Sequence, residues 1–263
     1  MRRVIVILAT ALSLIAATAA NAQRTPPEGL QTDLSSHEVL IETNFSGVRV
    51  IIFGAVDNSR QPSADSGLYD VVVTLRGPDE TIVARRKERV AGLWVNNRAM
   101  AFRDAPSFYA VLSTRPLADI APPPVLRKYG LGFESLALIP AHSENGYDGE
   151  DFALFRDAVI QLKREQKLYV EAPSGVDFVG RSLFRGAFDL PANVPTGEFT
   201  ADIFLFSGGR LLSVDETRVT IGKAGFGQFV HATAVGSPLL YGVGAVVIAV
   251  ISGLIASAMF RKY

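Results

Sequence analysis

Histidine, cysteine and convergent carboxylates are the side chains from which metal and nucleophilic sites are most often built. In this chain of 263 residues they are sparse. The three histidines, His37, His142 and His231, stand too far apart for the close pairs used by zinc sites. There is no cysteine, which removes disulfides, thiolate ligands and a cysteine nucleophile together. No Gly-x-Ser-x-Gly elbow, phosphate-cradling Walker loop or dinucleotide fingerprint occurs, and the glycine-rich run 222–227 precedes no nucleotide-binding helix. No catalytic, cofactor or metal residue is nominated, and the expectation is a protein that is not an enzyme.

Three other clusters carry some chemistry. The acidic run Glu144-Asn145-Gly146-Tyr147-Asp148-Gly149-Glu150-Asp151 offers the oxygens calcium needs but lacks the EF-hand order. Capping of a helix by Asp148, with Glu150 and Asp151 at its positive end, accounts for the same residues. The basic run Arg85-Arg86-Lys87-Glu88-Arg89 falls in strand-like text, so its charges should project to both faces. Blunting of a sheet edge is its default role, and docking of an acidic partner or of lipid headgroups is the alternative. Finally, Ala245, Ala249, Gly253 and Ser257 repeat every fourth residue, with Gly242, Ser252 and Ala256 nearby. Such a stripe lets a second helix approach closely, although membrane helices are rich in small residues as a class.

The elements that must position these clusters are mostly strands. From Ser36 to about Leu112, period-two alternation marks Val48, Val50 and Ile52, then Tyr69, Val71, Val73 and Leu75. Gly77-Pro78-Asp79 reads as a hairpin turn into 81–86, and Asn96-Asn97 and Asp104-Ala105-Pro106 read as breaks between further short strands. Pro122-Pro123-Pro124 opens a short helix that Gly130 ends, and a longer helix runs from about Glu150 to Lys167 with Phe152, Phe155, Val159 and Leu162 on one face. Strand text returns at 168–171, 182–189, 198–206 and 211–221, with a tight hairpin at Gly208-Gly209. The loop 190–197 resembles the turn before a late strand in Ig-like modules. Two arrangements fit: two small sandwiches joined by the helices, which is preferred, or one larger sandwich with a helical insertion. No amphipathic helix separates the early strands, so a parallel α/β sheet is disfavoured. Phe53, Trp94 and Phe108 are assigned to core packing.

The two ends set the topology. Residues 1–22 have a basic start, an apolar run and small residues at Ala20-Asn21-Ala22, the pattern of a cleaved signal peptide. Residues 238–260 carry no charge and are long enough to cross a hydrocarbon core of roughly 30 Å as a helix. Ser237 and Pro238 suit its start, Tyr241 and Phe260 suit the headgroup levels, and Arg261 and Lys262 mark a cytoplasmic tail at 261–263. The expected order is signal peptide 1–22, a sandwich-like domain at 23–115, a helical connecting segment at 116–167, a second β-rich domain at 168–222, a juxtamembrane stalk at 223–237 and the transmembrane helix. Phe226, Phe229 and Val230 in the stalk either lie at the membrane interface or belong to a flexible linker. The fold class is therefore mainly β: Ig-like antiparallel sandwich modules with a central helical segment and one C-terminal transmembrane helix. Twenty-six basic and 26 acidic residues balance, so no global field favours nucleic acid. The expected location is the periplasmic face of a bacterial inner membrane.

Several short motifs add a family likeness when taken in order: Asp33-Leu34-Ser35, Phe45-Ser46-Gly47, Phe53-Gly54-Ala55, Leu93-Trp94-Val95-Asn96, Pro106-Ser107-Phe108-Tyr109, Val194-Pro195-Thr196-Gly197 and Pro238-Leu239-Leu240-Tyr241-Gly242. The ordered set resembles the alphaproteobacterial putative transmembrane protein family, a family of uncharacterised function. The resemblance implies the same topology and an envelope location, and it implies no catalytic residue. The function expected is that of a single-pass periplasmic protein acting by protein–protein contacts, such as an accessory subunit of a transport or envelope complex. Its partners would be the bilayer, through 238–260, and an unidentified membrane or periplasmic protein or a second copy. A tethered binding protein for a small solute or glycan, with its ligand between the strand groups, is the alternative. A hydrolase using scattered carboxylates ranks last.

Overall fold

The computed structural model describes residues 27–42, 45–90, 92–141, 149–223 and 234–260. The expected signal peptide, most of the expected stalk, the expected cytoplasmic tail, His142, His231 and the acidic run up to Asp148 lie outside the described residues.

Strand β4, Asp70–Arg76, organises the body. Its sequence Asp-Val-Val-Val-Thr-Leu is buried at every position, so it cannot be a half-exposed alternating strand as its period suggested. A strand buried on both faces must also satisfy both rows of backbone groups. On one side β12 (Gly197–Ser207) supplies them, on the other β7 (Tyr109–Ser113), both antiparallel. The sheet continues through β13 (Arg210–Lys223) to β2 (Glu38–Ile41) at one edge and to β9 (Tyr169–Pro173) at the other. The β2–β13 and β7–β9 pairs are parallel, a departure from the all-antiparallel expectation. The long connection from β7 to β9 supplies the crossover that a parallel pair requires.

A second sheet, all antiparallel, has the order β1 (Gly29–Leu34), β3 (Gly47–Asp57), β11 (Leu183–Pro191), β10 (Val176–Phe178). It covers the face of the first sheet that carries Val73, Leu112 and Ile203. Thr32 on β1 donates from its N–H and Oγ1 to Asp215 on β13, at 3.1 and 2.6 Å, tying the two sheets at one end. Strands from 23–115 and 168–222 thus share both sheets, and the preferred division into two sandwiches is corrected to one. The physical reason is that neither group alone could cover β4 on both edges and both faces.

The segment 116–167 is not a connector but a cover. Helices α1 (Leu117–Ile120) and α2 (Pro123–Tyr129) lie on the outer face of the first sheet, where the Tyr129 ring meets Phe204 at 5.7 Å. Gly130 ends α2 in the left-handed region, φ 64°, as expected of it. Tyr109 Oη donates to the Gly130 carbonyl at 2.6 Å and accepts from the Gly132 N–H at 3.1 Å, pinning the loop after α2. Helix α3, Gly149–Glu165, buries Phe155, Val159 and Ile160; Leu162, assigned to that face from its spacing, is exposed. The Gly208-Gly209 turn is the expected hairpin, with φ of 54° and 80° closing Ser207 onto Arg210.

The third sheet holds β5 (Asp79–Val90), β6 (Leu93–Pro106) and the two-residue β8 (Ile139–Pro140). Gly77-Pro78-Asp79 does not join β4 to β5 as a hairpin, since β4 pairs elsewhere and β5 pairs with β6. The expected breaks at Asn96-Asn97 and Asp104-Ala105-Pro106 are absorbed into β6. Residues 238–260 form helix α4, 23 residues long. Among the described residues no helix is long and apolar enough to cross a membrane.

Gly54 tests the seam of the second sheet. It sits on β3 opposite Thr32 and Phe184, and a Cβ there would lie 2.6 Å from the Phe184 ring and 2.8 Å from the Gln31 carbonyl. Gly54→Ala should destabilise the fold by about 1–3 kcal/mol, through displacement of β1 or the Phe184 ring. Gly180→Ala, where nothing lies within 4 Å, should stay within about 0.5 kcal/mol. Thermal unfolding of the two variants beside the parent checks both.

Candidate functional site

Strands β5 and β6 pair along nearly their whole length, from Asp79 opposite Pro106 to Val90 opposite Leu93. Gly92, at φ 87°, takes a turn conformation that a side chain resists. Near its base the hairpin is part of the core. Met100 and Phe102 are buried, Ile82 and Ala84 pack against the same cluster, and the Phe102 and Phe152 rings lie 5.9 Å apart. Beyond the Ala84–Met100 pair, every described side chain from Arg85 to Ala99 is exposed. At about 3.4 Å per residue, six residues per strand project an arm of roughly 20 Å from the body.

The basic run leaves the core for a plain reason: consecutive charged residues give a strand no apolar face to bury. Register then sorts the arm's faces. Arg85, Lys87 and Arg89 lie on one face together with Asn96 and Trp94, opposite partners of Lys87 and Arg89. Leu93 and Val95 lie on the other, with Arg86 and Arg98. The register shifts between Arg86 and Lys87, whose partners are Arg98 and Asn96, so Asn97 is the extra residue of a bulge that bends and twists the arm. At the root Arg98 donates to Asp151 at 2.7 Å, which fastens the arm to the start of α3. Leu93 and Trp94 are 70% and 69% exposed. The assignment of Trp94 to the core is therefore wrong, and so is that of Phe53, which faces outward on β3; Phe108 is buried as expected, 5.8 Å from the Phe199 ring. The signal missed in the sequence is Gly92, a turn former directly after a run with no buried face.

A second feature is a cleft of about 1210 Å³ between the second sheet and the end of α3. Arg49, Asp189, Arg164, Lys167 and Glu171 supply its polar groups and Phe108 part of its apolar wall. Arg49 is already engaged, with Nε and Nη2 on the two Asp189 oxygens at 2.6 and 3.2 Å. The buried phenols nearby are structural: Tyr169 Oη donates to the Pro106 carbonyl at 2.8 Å, and burial pushes the pKa of both Tyr169 and Tyr109 up, so they remain hydroxyls. Asp202 is raised by burial and then by Glu216 across the strand pair, but neither lines the cleft. His37 bonds Asp33 at 2.9 Å on the surface, and among the described residues no group of three or more histidine, aspartate or glutamate side chains could hold a metal ion.

On α4 the small residues Ala245, Ala249, Gly253 and Ser257 are all exposed, as are the described aliphatic side chains around them, such as Leu239, Val246, Ile248 and Leu254. A Cβ on Gly253 would meet nothing within 4 Å.

A β-rich body with an uncharged C-terminal helix whose described side chains are exposed defines the class: a mainly β protein with an exposed apolar helix. The chain belongs to the family described as "Putative transmembrane protein (Alph_Pro_TM)", which matches residues 29–262. Among solved structures it is similar to the sporulation control protein Spo0M from Bacillus subtilis, at 10% identity and a TM-score of 0.27. That likeness covers 76% of this chain and 51% of the other, so the match spans about half of Spo0M. No curated protein matches the sequence.

Because Leu93 and Trp94 are mostly exposed, Trp94→Ala and Leu93→Ser should each change stability by no more than about 0.5 kcal/mol. Phe102→Ala at the root should cost about 3–5 kcal/mol. Thermal unfolding decides, and a large loss at Trp94 would show that the tip packs against the body.

Proposed function

We propose that the chain is a single-pass protein of the bacterial inner membrane whose exported β-rich body works by contact rather than catalysis. The observation that carries this reading is α4. Its 23 residues include no charge, and its described aliphatic side chains are left exposed by the rest of the chain. A helix apolar all round must be buried in something, and the uncharged run 238–260 of the sequence has the number of residues that suits a bilayer. The signal-peptide pattern at 1–22 and Arg261-Lys262 after the helix support a body outside and a tail inside. The family's description as transmembrane agrees with it.

In this reading the stripe Ala245, Ala249, Gly253 and Ser257 receives a second helix, from a partner subunit or another copy, and the body acts as an accessory element of a membrane complex. The cleft beside Arg49 and Asp189 favours a second reading, a tethered binding protein for a small polar solute or glycan, because it combines an apolar wall with convergent charged groups.

Crosslinking of the full chain in its native membrane, followed by mild detergent purification and mass spectrometry, tests the first reading. A defined partner should be captured by the parent and lost when Ala249 and Gly253 are both changed to leucine, with membrane localisation retained. A chain recovered outside the membrane fraction, or a partner captured equally by both forms, would count against it.

A further inference from the structure

We propose that the β5–β6 arm is a lipid-binding device whose tip enters the interface of an anionic bilayer. Val90 to Asn97 form eight consecutive uncharged residues at the end of the arm, and Arg89 and Arg98 bound them on either strand. Arg85, Arg86 and Lys87 extend this collar toward the root. From Arg85 to Arg98 the arm holds five cations and one acid, in a chain whose charges balance overall. Apolar tip and cationic collar therefore succeed one another along the arm, the order in which acyl chains and anionic headgroups succeed one another in a leaflet.

Two features separate this occupant from a protein partner. Trp94 projects from one face of the arm while Leu93 and Val95 project from the other, and all three are exposed. A protein docked on either face would leave the opposite side wet, whereas a bilayer surrounds the tip. The area is also small. A stable protein interface buries about 800 Å² on each partner, more than three side chains at a hairpin end supply. Edge blunting explains the cations alone, but it gives no reason to expose an aromatic and two aliphatic residues beyond them. Tryptophan is the side chain best suited to the headgroup level, with an apolar ring and one N–H donor.

The anchor reading matters here only because it would hold the arm beside a membrane, and one experiment can separate the two claims. Trp94 is the only tryptophan in the chain, so its emission reports the tip alone. The full chain is reconstituted from detergent with vesicles of phosphatidylcholine, or of phosphatidylcholine with phosphatidylglycerol, and floated. Flotation with the neutral vesicles reads the anchor. Blue-shifted Trp94 emission in the anionic vesicles, with quenching by lipids brominated on their acyl chains, reads the arm. Each cation near an anionic surface contributes roughly fivefold in affinity, so Arg85→Glu, Lys87→Glu and Arg89→Glu together should weaken tip insertion at least about a hundredfold. Circular dichroism and the melting temperature should stay unchanged, because these side chains are exposed.

Trp94 that remains open to aqueous iodide in anionic vesicles would overturn the proposal, whether or not the chain floats. Shielding that is equal in both lipids and grows with protein density would assign the tip to a second copy and overturn it too. Failure to float with neutral vesicles would refute the anchor alone, since anionic vesicles would still report on the arm.

Discussion

The body depends on the burial of β4. Six consecutive residues of this strand are inaccessible to water, and an extended chain in that position must find hydrogen-bonding neighbours on both edges and apolar cover on both faces. Every other decision of the fold follows from meeting those four demands. Strands β12 and β7 meet the first two, the sheet built on β3 and β11 covers one face, and α1, α2 and the loop behind Tyr109 cover the other. The Asp70 carboxylate at the head of β4 is buried as well, and it is satisfied by a two-pronged contact from Arg115 at 2.7 Å on each side and by the Thr114 hydroxyl at 3.0 Å. That pairing keeps a charge in the core at its partner's expense of freedom rather than at the core's expense of stability.

Local structure was largely legible in the sequence. The strands after the long helix, the Gly208-Gly209 hairpin and the Gly130 stop are each set by a few neighbouring residues, and turn chemistry reports such features directly. Pairing between strands far apart in the chain was not legible. Nothing in Val71 to Leu75 says whether the neighbour is β5, eight residues on, or β12, and the nearer choice was wrong. The arm was hidden for a related reason. Leu93-Trp94-Val95 is good strand text wherever it stands, and only its position beyond a run of charges with no buried face marks it as leaving the core. Leu162 shows the same limit on a helix, where spacing alone could not tell the covered flank of α3 from the exposed one.

Two apolar features therefore stand outside the single core, and they differ in kind. Helix α4 is uniform around its axis, which suits a surrounding that is itself uniform. The arm is graded along its length, apolar at the end and cationic behind, which suits a boundary between two media. A body fixed at two such points would lose the freedom to rotate about a single tether, and its cleft would then face one direction relative to the surface that holds it. Register shifts between Glu80 and Ile82 and at Asn97 interrupt the hairpin, and irregularities of this kind bend and twist a strand.

The ion pair between Arg49 and Asp189 joins strands 140 residues apart in the chain, and β3 has no neighbour on that side until β11 has been made. As the polypeptide emerges from its N-terminus, β1 and β3 must persist as an exposed two-stranded ribbon until β11, which begins at Leu183, has been made. Two strands alone are marginal in water. Assembly of the sheet is therefore deferred to the end of the chain, with a high contact order and slow closure. A long-lived open edge of this kind needs a holding factor or a crowd-free compartment until the last strands arrive.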